Sequence, residues 1–255
     1  MTADALTTLP VARRFEAAGL RAWPAAQTRY DGAWVIRLTP GHSSNRLNSV
    51  NLLDPHDVGN LEARIRRAAK DFDSIQRPIT FRISPLAGLE LTDWFDRQGW
   101  GRFGSSKVMR RPLSGLPLDE AIDQIPMKDV ERFSRAAAVA HDDAMDNADG
   151  LARVIRSIQS DYGLFVAGDD SNPVATVICV NEGDAAGIFN LATKPSERGR
   201  GHGRRAVLSA LKWARSRGAR QAWLQVEEAN LPGVKLYGSL GFEPVYAYHY
   251  RRPRS

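Results

Sequence analysis

Apolar residues along the chain follow two rhythms that alternate from one end to the other. Over residues 203–217, Val207, Ala210, Leu211 and Ala214 recur at three- and four-residue steps, which makes one face of a helix apolar, and Gly218 follows where that helix must stop. Elsewhere, short runs alternate apolar with polar residues or stay apolar throughout, the pattern of strands. The first 110 residues predict a helix over 11–20, strands over 27–30, 33–38 and 47–53, a helix over 58–72, a strand over 78–83, a helix over 89–98 and a strand over 103–109. Beyond residue 120 the pattern predicts helices over 127–140 and 147–159, strands over 163–168, 173–181 and 187–192, a helix over 203–217, a strand over 221–227, a helix over 231–240 and a strand over 245–251. Pro112, Gly115 and Pro117 interrupt any regular structure between the two series.

The two series share an order and an anchor. Residues 94–100, Trp-Phe-Asp-Arg-Gln-Gly-Trp, align with residues 236–242, Leu-Tyr-Gly-Ser-Leu-Gly-Phe; each closes a helix with glycine and then an aromatic residue, where a left-handed C-cap is needed. From Gly203 to Gly241 is 38 residues and from Gly59 to Gly99 is 40. Two copies of one α/β unit are expected, residues 1–114 and 115–255.

Composition narrows the setting. With 43% hydrophobic residues in 255, either one large or two small cores are attainable. The single cysteine, Cys179, lies in an apolar run and excludes an internal disulfide framework; it reads as a buried thiol of a reducing compartment. No apolar run approaches the roughly 20 residues of a membrane span, and the N-terminus lacks a secretory layout, so a cytoplasmic protein with no membrane partner is expected. The net charge of +6 does not mark a nucleic-acid site by itself, since 29 of 35 basic residues are arginines spread along the chain. Their distribution is more telling: residues 119–190 hold 5 basic and 14 acidic side chains, residues 191–255 hold 13 and 4. Such asymmetry suits one face for an anion and another for a cation.

The basic half contains residues 197–208, Glu-Arg-Gly-Arg-Gly-His-Gly-Arg-Arg-Ala-Val-Leu, at the mouth of the predicted helix. Gly199, Gly201 and Gly203 permit tight turns and close main-chain approach, while the first amides of the helix and its dipole favour an anion such as a phosphate. It is not a P-loop, because no Gly-Lys-Ser/Thr follows, and not a dinucleotide fingerprint, because Arg204 stands where glycine is required. An RNA-binding Arg/Gly tract would be longer and would not enter an amphipathic helix.

Arg198-Gly199-Arg200-Gly201-His202-Gly203 resembles the pyrophosphate loop of the GNAT superfamily of N-acetyltransferases, and residues 224–242, with Asn230, Tyr237 and Gly241-Phe242, resemble that superfamily's closing strand and helix. The resemblance covers roughly residues 119–255. It implies an α/β (α+β) fold of two tandem units, each a mixed, mostly antiparallel sheet flanked by helices, and acetyl-coenzyme A as cosubstrate without a metal. It further implies pyrophosphate binding by Arg198, Gly199, Arg200, Gly201, His202, Gly203 and Arg204, main-chain contacts at Leu191, Ala192 and Thr193 beside a bulged strand, cofactor contact by Asn230, and Tyr237 as general acid on the thiolate. Asn230, just before Leu231-Pro232, is equally well explained as a helix N-cap.

Other residues are weighed on their own patterns. Glu227 and Glu228 end a strand on opposite faces, and Glu227 is the candidate general base. His141, Asp142, Asp143 and Asp146 cluster in a turn without a further His or Cys partner, which favours an acidic rim attracting an ammonium group over a metal site. In the first copy, residues 54–60, Asp-Pro-His-Asp-Val-Gly-Asn, stand opposite the glycine loop and Phe95 opposite Tyr237, so a degenerate unit is expected that packs on the second and walls its acceptor site. Within the polar residues 41–51, Asn45, Arg46 and Asn48 are candidates to face substrate. The expected acceptor is a small-molecule amine or a protein amine, not nucleic acid, and a monomer is favoured over a homodimer. A non-catalytic acyl-coenzyme A sensor would keep the loop without needing Tyr237.

Overall fold

The computed structural model describes residues 3–117, 120–169 and 171–254, with the side chains of residues 3–8 and 146 outside that description. In the first half the elements are α1 (Ala3–Ala22), β1 (Gln27–Asp31), β2 (Trp34–Leu38), β3 (Ser49–Leu52), α2 (Leu61–Asp73), β4 (Phe81–Ile83), α3 (Gly88–Arg97) and β5 (Gly101–Pro112). The second half has α4 (Val130–His141), α5 (Asp146–Arg156), β6 (Tyr162–Gly168), β7 (Pro173–Glu182), β8 (Ala185–Thr193), α6 (His202–Ser216), β9 (Gln221–Glu227), α7 (Leu231–Ser239) and β10 (Glu243–Arg252). All the expected elements form, and most ends move by one to three residues. The largest difference is α1, which reaches back from the expected start at 11 to Ala3 and runs through Pro10. Its apolar face, with Ala12, Phe15, Ala18 and Ala22 all buried, is held by packing on β7, β8 and β10.

All ten strands join one sheet in the order β1-β2-β3-β4-β10-β5-β9-β8-β7-β6. Matching β1 to β5 with β6 to β10 makes this order read alike from both ends, the signature of a duplicated unit. The two parallel pairs, β3 with β4 and β8 with β9, are also counterparts, and every other pairing is antiparallel. Gly99 and Gly241 both adopt the left-handed conformation expected of them (φ 69° and 78°). At the centre the halves exchange their last strands. β10 pairs with β4 and β5 pairs with β9, so hydrogen bonding crosses the linear division at residue 114.

Three apolar clusters flank this sheet. One joins Phe15 of α1 with Phe133, Ile155, Ile178 and Trp223; a second packs Val207 and Leu211 of α6 on Val177, Cys179 and Leu224; a third, within the first half, surrounds Phe81 with Trp34, Phe72 and Phe95. Burial pushes the Cys179 thiol up, as suits an inert core residue. Among the described residues, no helix is long and apolar enough to cross a membrane.

The seam between the halves also carries a buried ion pair. Glu16 of α1 meets Arg82 of β4 at 2.7 Å, with side chains 2% and 5% exposed. Tyr246 of β10 donates to the same Glu16 oxygen at 2.8 Å, and the Arg82 guanidinium lies 3.6 Å from the centre of the Tyr248 ring. Burial works against the Arg82 charge, but Glu16 together with Tyr248, Tyr250 and Tyr246 outweighs it and the net shift is upward. Removing one partner of such a pair leaves an uncompensated buried charge. Glu16→Ala is therefore expected to destabilise the protein by about 3–5 kcal/mol, read as a lower urea midpoint, whereas Glu16→Gln with Arg82→Met should recover part of the loss.

Candidate active site

The site begins where β8 and β9 part. Their parallel ladder runs from Ala185 opposite Gln221 to Ile188 opposite Leu224 and stops there, although β8 continues to Thr193 and β9 to Glu227. On its other side β8 carries a bulge: between the pairs formed by Thr176 with Ala192 and Ile178 with Phe189, β8 has one residue more than β7. Asn190 sits in this bulge with φ 50°, and its side-chain oxygen meets His141 Nε2 at 2.5 Å. The bulge leaves main-chain groups near Leu191, Ala192 and Thr193 beside the gap between the strands. The sequence signal for it was an asparagine inside an otherwise apolar strand, a residue depleted from regular strands.

Downstream of β8 a single 3₁₀ turn, Pro195–Glu197, leads into residues 198–201 and then α6. Gly199 and Gly201 have φ of 78° and 79°, the left-handed region closed to most side chains. Gly203 is constrained by space instead, since a Cβ there would lie 3.0 Å from Thr193 Oγ1. The N–H groups of residues 199–204 have no acceptor among the described residues; the first to find one is that of Arg205, bonded to the Gly201 carbonyl. A row of free amides at a helix N-terminus is a cradle for an anion.

The arginines around this cradle are largely engaged. Arg200 pairs with Glu197 at 2.8 Å, Arg198 Nε donates to the Thr193 carbonyl, and Arg205 donates to the Arg200 carbonyl. Arg204 grips Glu120 at 2.7 and 3.0 Å and reaches Ser239. Arg204 thus faces the cradle with its amide rather than its guanidinium. His202 Nδ1 sits 3.1 Å from Arg205 Nη2.

A cavity of about 630 Å³ opens at the split, lined by residues of both halves. From the second half come Leu191 and Asn190 of β8, Gln225 and Glu227 of β9, and Asn230 and Tyr237 around α7. Asn230 caps α7, its Oδ1 accepting from Gly233 N at 3.0 Å, so the N-cap reading holds while the residue also borders the cavity. Tyr237 is 8% exposed, packs edge-on against Phe242, and has its hydroxyl pKa pushed up to about 12 by burial, with Arg46 pulling the other way. From the first half come residues 41–46, together with Trp23, which stacks on Phe189. Of the first-half candidates, Asn45 and Arg46 line the cavity; Asn48 is wholly buried, accepts from Thr39 N and donates to the carbonyls of His42 and Ser44, a framework role.

The turn between α4 and α5 divides its acids. Asp143 lines the cavity and caps the turn, accepting from Ala144 N and Asn147 Nδ2; Asp142 closes α4 in the left-handed conformation; the Asp146 side chain lies outside the described residues. Tyr248, Tyr250 and Ser106 also reach the cavity, and sequence reasoning missed them because they arrive on the exchanged strands.

At the start of α2 the first half likewise leaves the N–H groups of residues 58–63 without an acceptor among the described residues, but its turn is acidic and lacks the paired glycines. Asn60 occupies the left-handed N-cap of α2 as Gly201 does for α6, a better match than Gly59 with Gly203. Just before it, the Asp57 carboxylate accepts from Ala33 N at 2.7 Å and from Arg64 at 2.7 and 3.0 Å. The Arg64 hydrogen bond holds the Asp57 carboxyl below the usual carboxylate range. Phe95, opposite Tyr237, is fully buried.

Comparison with known proteins agrees with this geometry. Residues 129–242 match the acetyltransferase (GNAT) family. The chain is 38% identical over 252 residues to the N-acetyltransferase YobR of Bacillus subtilis, covering 95% of this chain and 98% of that one. In structure it is similar to a GCN5-related N-acetyltransferase from Kribbella flavida (TM-score 0.73, 21% identity, 96% of each chain) and to a tandem GNAT protein from the clavulanic acid biosynthesis pathway (TM-score 0.63, 14% identity, 92% of this chain and 86% of that one). The chain belongs to the GNAT family of acetyltransferases, in tandem form, and is an acyltransferase.

The bulge gives a test of the site's construction. An asparagine tolerates the left-handed region, a β-branched residue does not. Asn190→Val should cost about 1–2 kcal/mol in thermal unfolding, while Asn190→Gly should leave the melting temperature nearly unchanged.

Proposed function

We propose that residues 115–255 form a unit that transfers the acetyl group of acetyl-coenzyme A directly to a primary amine, and that residues 1–114 bind no cofactor and serve as a wall of the acceptor site. The observation that carries this reading is the row of unsatisfied N–H groups over residues 199–204, next to the strand split and to a buried tyrosine. Left-handed Gly199 and Gly201 and the tight clearance at Gly203 keep this surface free of side chains, which fits a pyrophosphate. Acetyl-coenzyme A supplies the activated thioester. Main-chain groups along Leu191, Ala192 and Thr193 hold its pantetheine arm, and Asn230 borders the same channel.

The proton inventory follows from two side chains. An amine attacks only when neutral, and Glu227, at the open end of β9, accepts its proton directly or through water. Tyr237 gives its phenolic proton to the departing sulfur. A hydroxyl held near pKa 12 by burial remains protonated throughout the neutral range, so the acid is always loaded. The sheet centre, where two separate units would otherwise expose edges, is joined within one chain, which supports action as a monomer.

Tyr237→Phe should lower kcat about 100-fold or more while keeping the affinity for acetyl-coenzyme A. In the wild type, no alkaline loss of rate traceable to Tyr237 is expected until pH approaches 12. Calorimetry should count one acetyl-coenzyme A per chain. Two per chain would contradict the assignment to the second half, and binding without thiol release on any amine would favour an acyl-coenzyme A sensor.

A further inference from the structure

The first half's contribution to the cavity is more than a wall. Residues 41–46 form a loop whose carbonyls are held from below by buried or half-buried donors. Arg77 donates to the His42 and Ser43 carbonyls at 2.8 and 3.0 Å and to Asn45 Oδ1 at 3.3 Å. Arg37, 3% exposed, donates to the Arg46 carbonyl at 2.7 Å and also to that of Trp23. Asn48 binds the Ser44 carbonyl with its side-chain amide and the Asn45 carbonyl with its N–H. A loop with its acceptors consumed in this way is preorganised and presents donors to the cavity.

The side-chain donors it presents find no acceptor among the described residues. Arg46 is half-buried and lines the cavity, yet its guanidinium forms no hydrogen bond or ion pair among the described residues. It lines the cavity together with Tyr237, Tyr248 and Tyr250, and its charge acts on all three hydroxyls. His42 Nδ1 accepts from Ser44 N at 3.1 Å, which leaves the proton on Nε2 as a further donor, and burial together with Arg153 and Arg77 keeps the ring neutral. Arg153 of α5 lines the same cavity and likewise has no ion-pair partner among the described residues. A half-buried guanidinium without a carboxylate is costly unless a ligand supplies one.

We infer that Arg46 is the centre of a carboxylate subsite, and that the acceptor is an amino acid or another amine bearing a carboxylate. This inference rests on the acetyl-transfer reading above. The planar fork of Arg46 matches a carboxylate in two-point fashion, with the His42 Nε2–H and Arg153 as neighbouring donors, while Glu227 marks the amine side of the same cavity. The acidic and basic side chains lining the cavity then serve the two ends of one zwitterion.

The test is thiol release from acetyl-coenzyme A with a panel of α- and ω-amino acids, each beside its own amide and the alkylamine lacking the carboxyl group. The wild type should prefer one class of acids over the matched amides by at least about tenfold in kcat/KM, the size expected for a charge-assisted contact. Arg46→Gln should abolish that preference chiefly through KM, and Arg46→Lys should keep part of it. Equal use of acids and amides by the wild type would overturn the subsite, and so would an Arg46→Gln variant that lowers kcat for both classes by the same factor, since Arg46 would then act on Tyr237 rather than on the acceptor. If Arg46→Gln fails to fold, the wild-type ratio decides alone. Thiol release with amides only would sink the subsite and leave acetyl transfer standing; bound acetyl-coenzyme A with no release on any amine would sink both.

Discussion

β10 lies between β4 and β5, and β5 lies between β10 and β9, so each half of the chain completes the other's sheet. This exchange constrains everything built around it. It carries Tyr248 and Tyr250 of the last strand and Ser106 of the first half's last strand into one cavity, and it draws α1 across onto β7, β8 and β10. The Glu16–Arg82 pair sits at this seam and is shared by α1 and β4, with Tyr246 of β10 as third member. A buried pair of this kind is weak evidence of net stability, but it favours one register of β4, because a slip of that strand would strand a charge. The halves are thus fixed relative to each other by main-chain pairing and by the Tyr246 hydroxyl of β10, which reaches the ion pair held within the first half.

With that frame held rigid, the two copies diverge at matching points. Gly201 and Asn60 start equivalent helices from the same left-handed conformation. In both copies the amides ahead of the helix find no acceptor among the described residues; in the first, the Asp57 carboxylate stands beside the turn, paired with Arg64 and accepting from Ala33 N. Phe95 for Tyr237 removes the hydroxyl and adds a ring to the cluster around Phe81. The first copy turns its polar loop, residues 41–46, toward the cavity it shares with its neighbour.

Much of this was legible in sequence because helix periodicity and glycine placement are local. The stripe from Val207 to Ala214, the stop at Gly218 and the paired glycines at 99 and 241 need no knowledge of distant residues. The strand exchange was not legible: alternation shows which face of β10 is buried but names no neighbour, and β10 fits equally well beside β9 or between β4 and β5. For the same reason Tyr248 and Tyr250 were read as strand residues without a site. Arg46 was visible as one of several polar residues in a loop. What separates it from Asn48 is that Asn48 spends its amide on the loop's own backbone, a distinction only coordinates supply.

Charge is used differently on the two sides of the cavity. Around the free amides ahead of α6, Arg200 and Arg204 are held by Glu197 and Glu120, so the local positive charge is partly spent in shaping the loop, and the surface left open is made of fixed amide dipoles. Dipoles locked in place need no reorganisation when a polyanion arrives, whereas long arginine side chains would lose freedom on binding it. At Arg46 the arrangement is reversed: the backbone is tied down by Arg37 and Arg77, and the guanidinium is left without a partner. A cation there opposes the effect of burial on Tyr237, yet the hydroxyl remains well above its ordinary pKa, because burial of the phenol is the larger of the two influences.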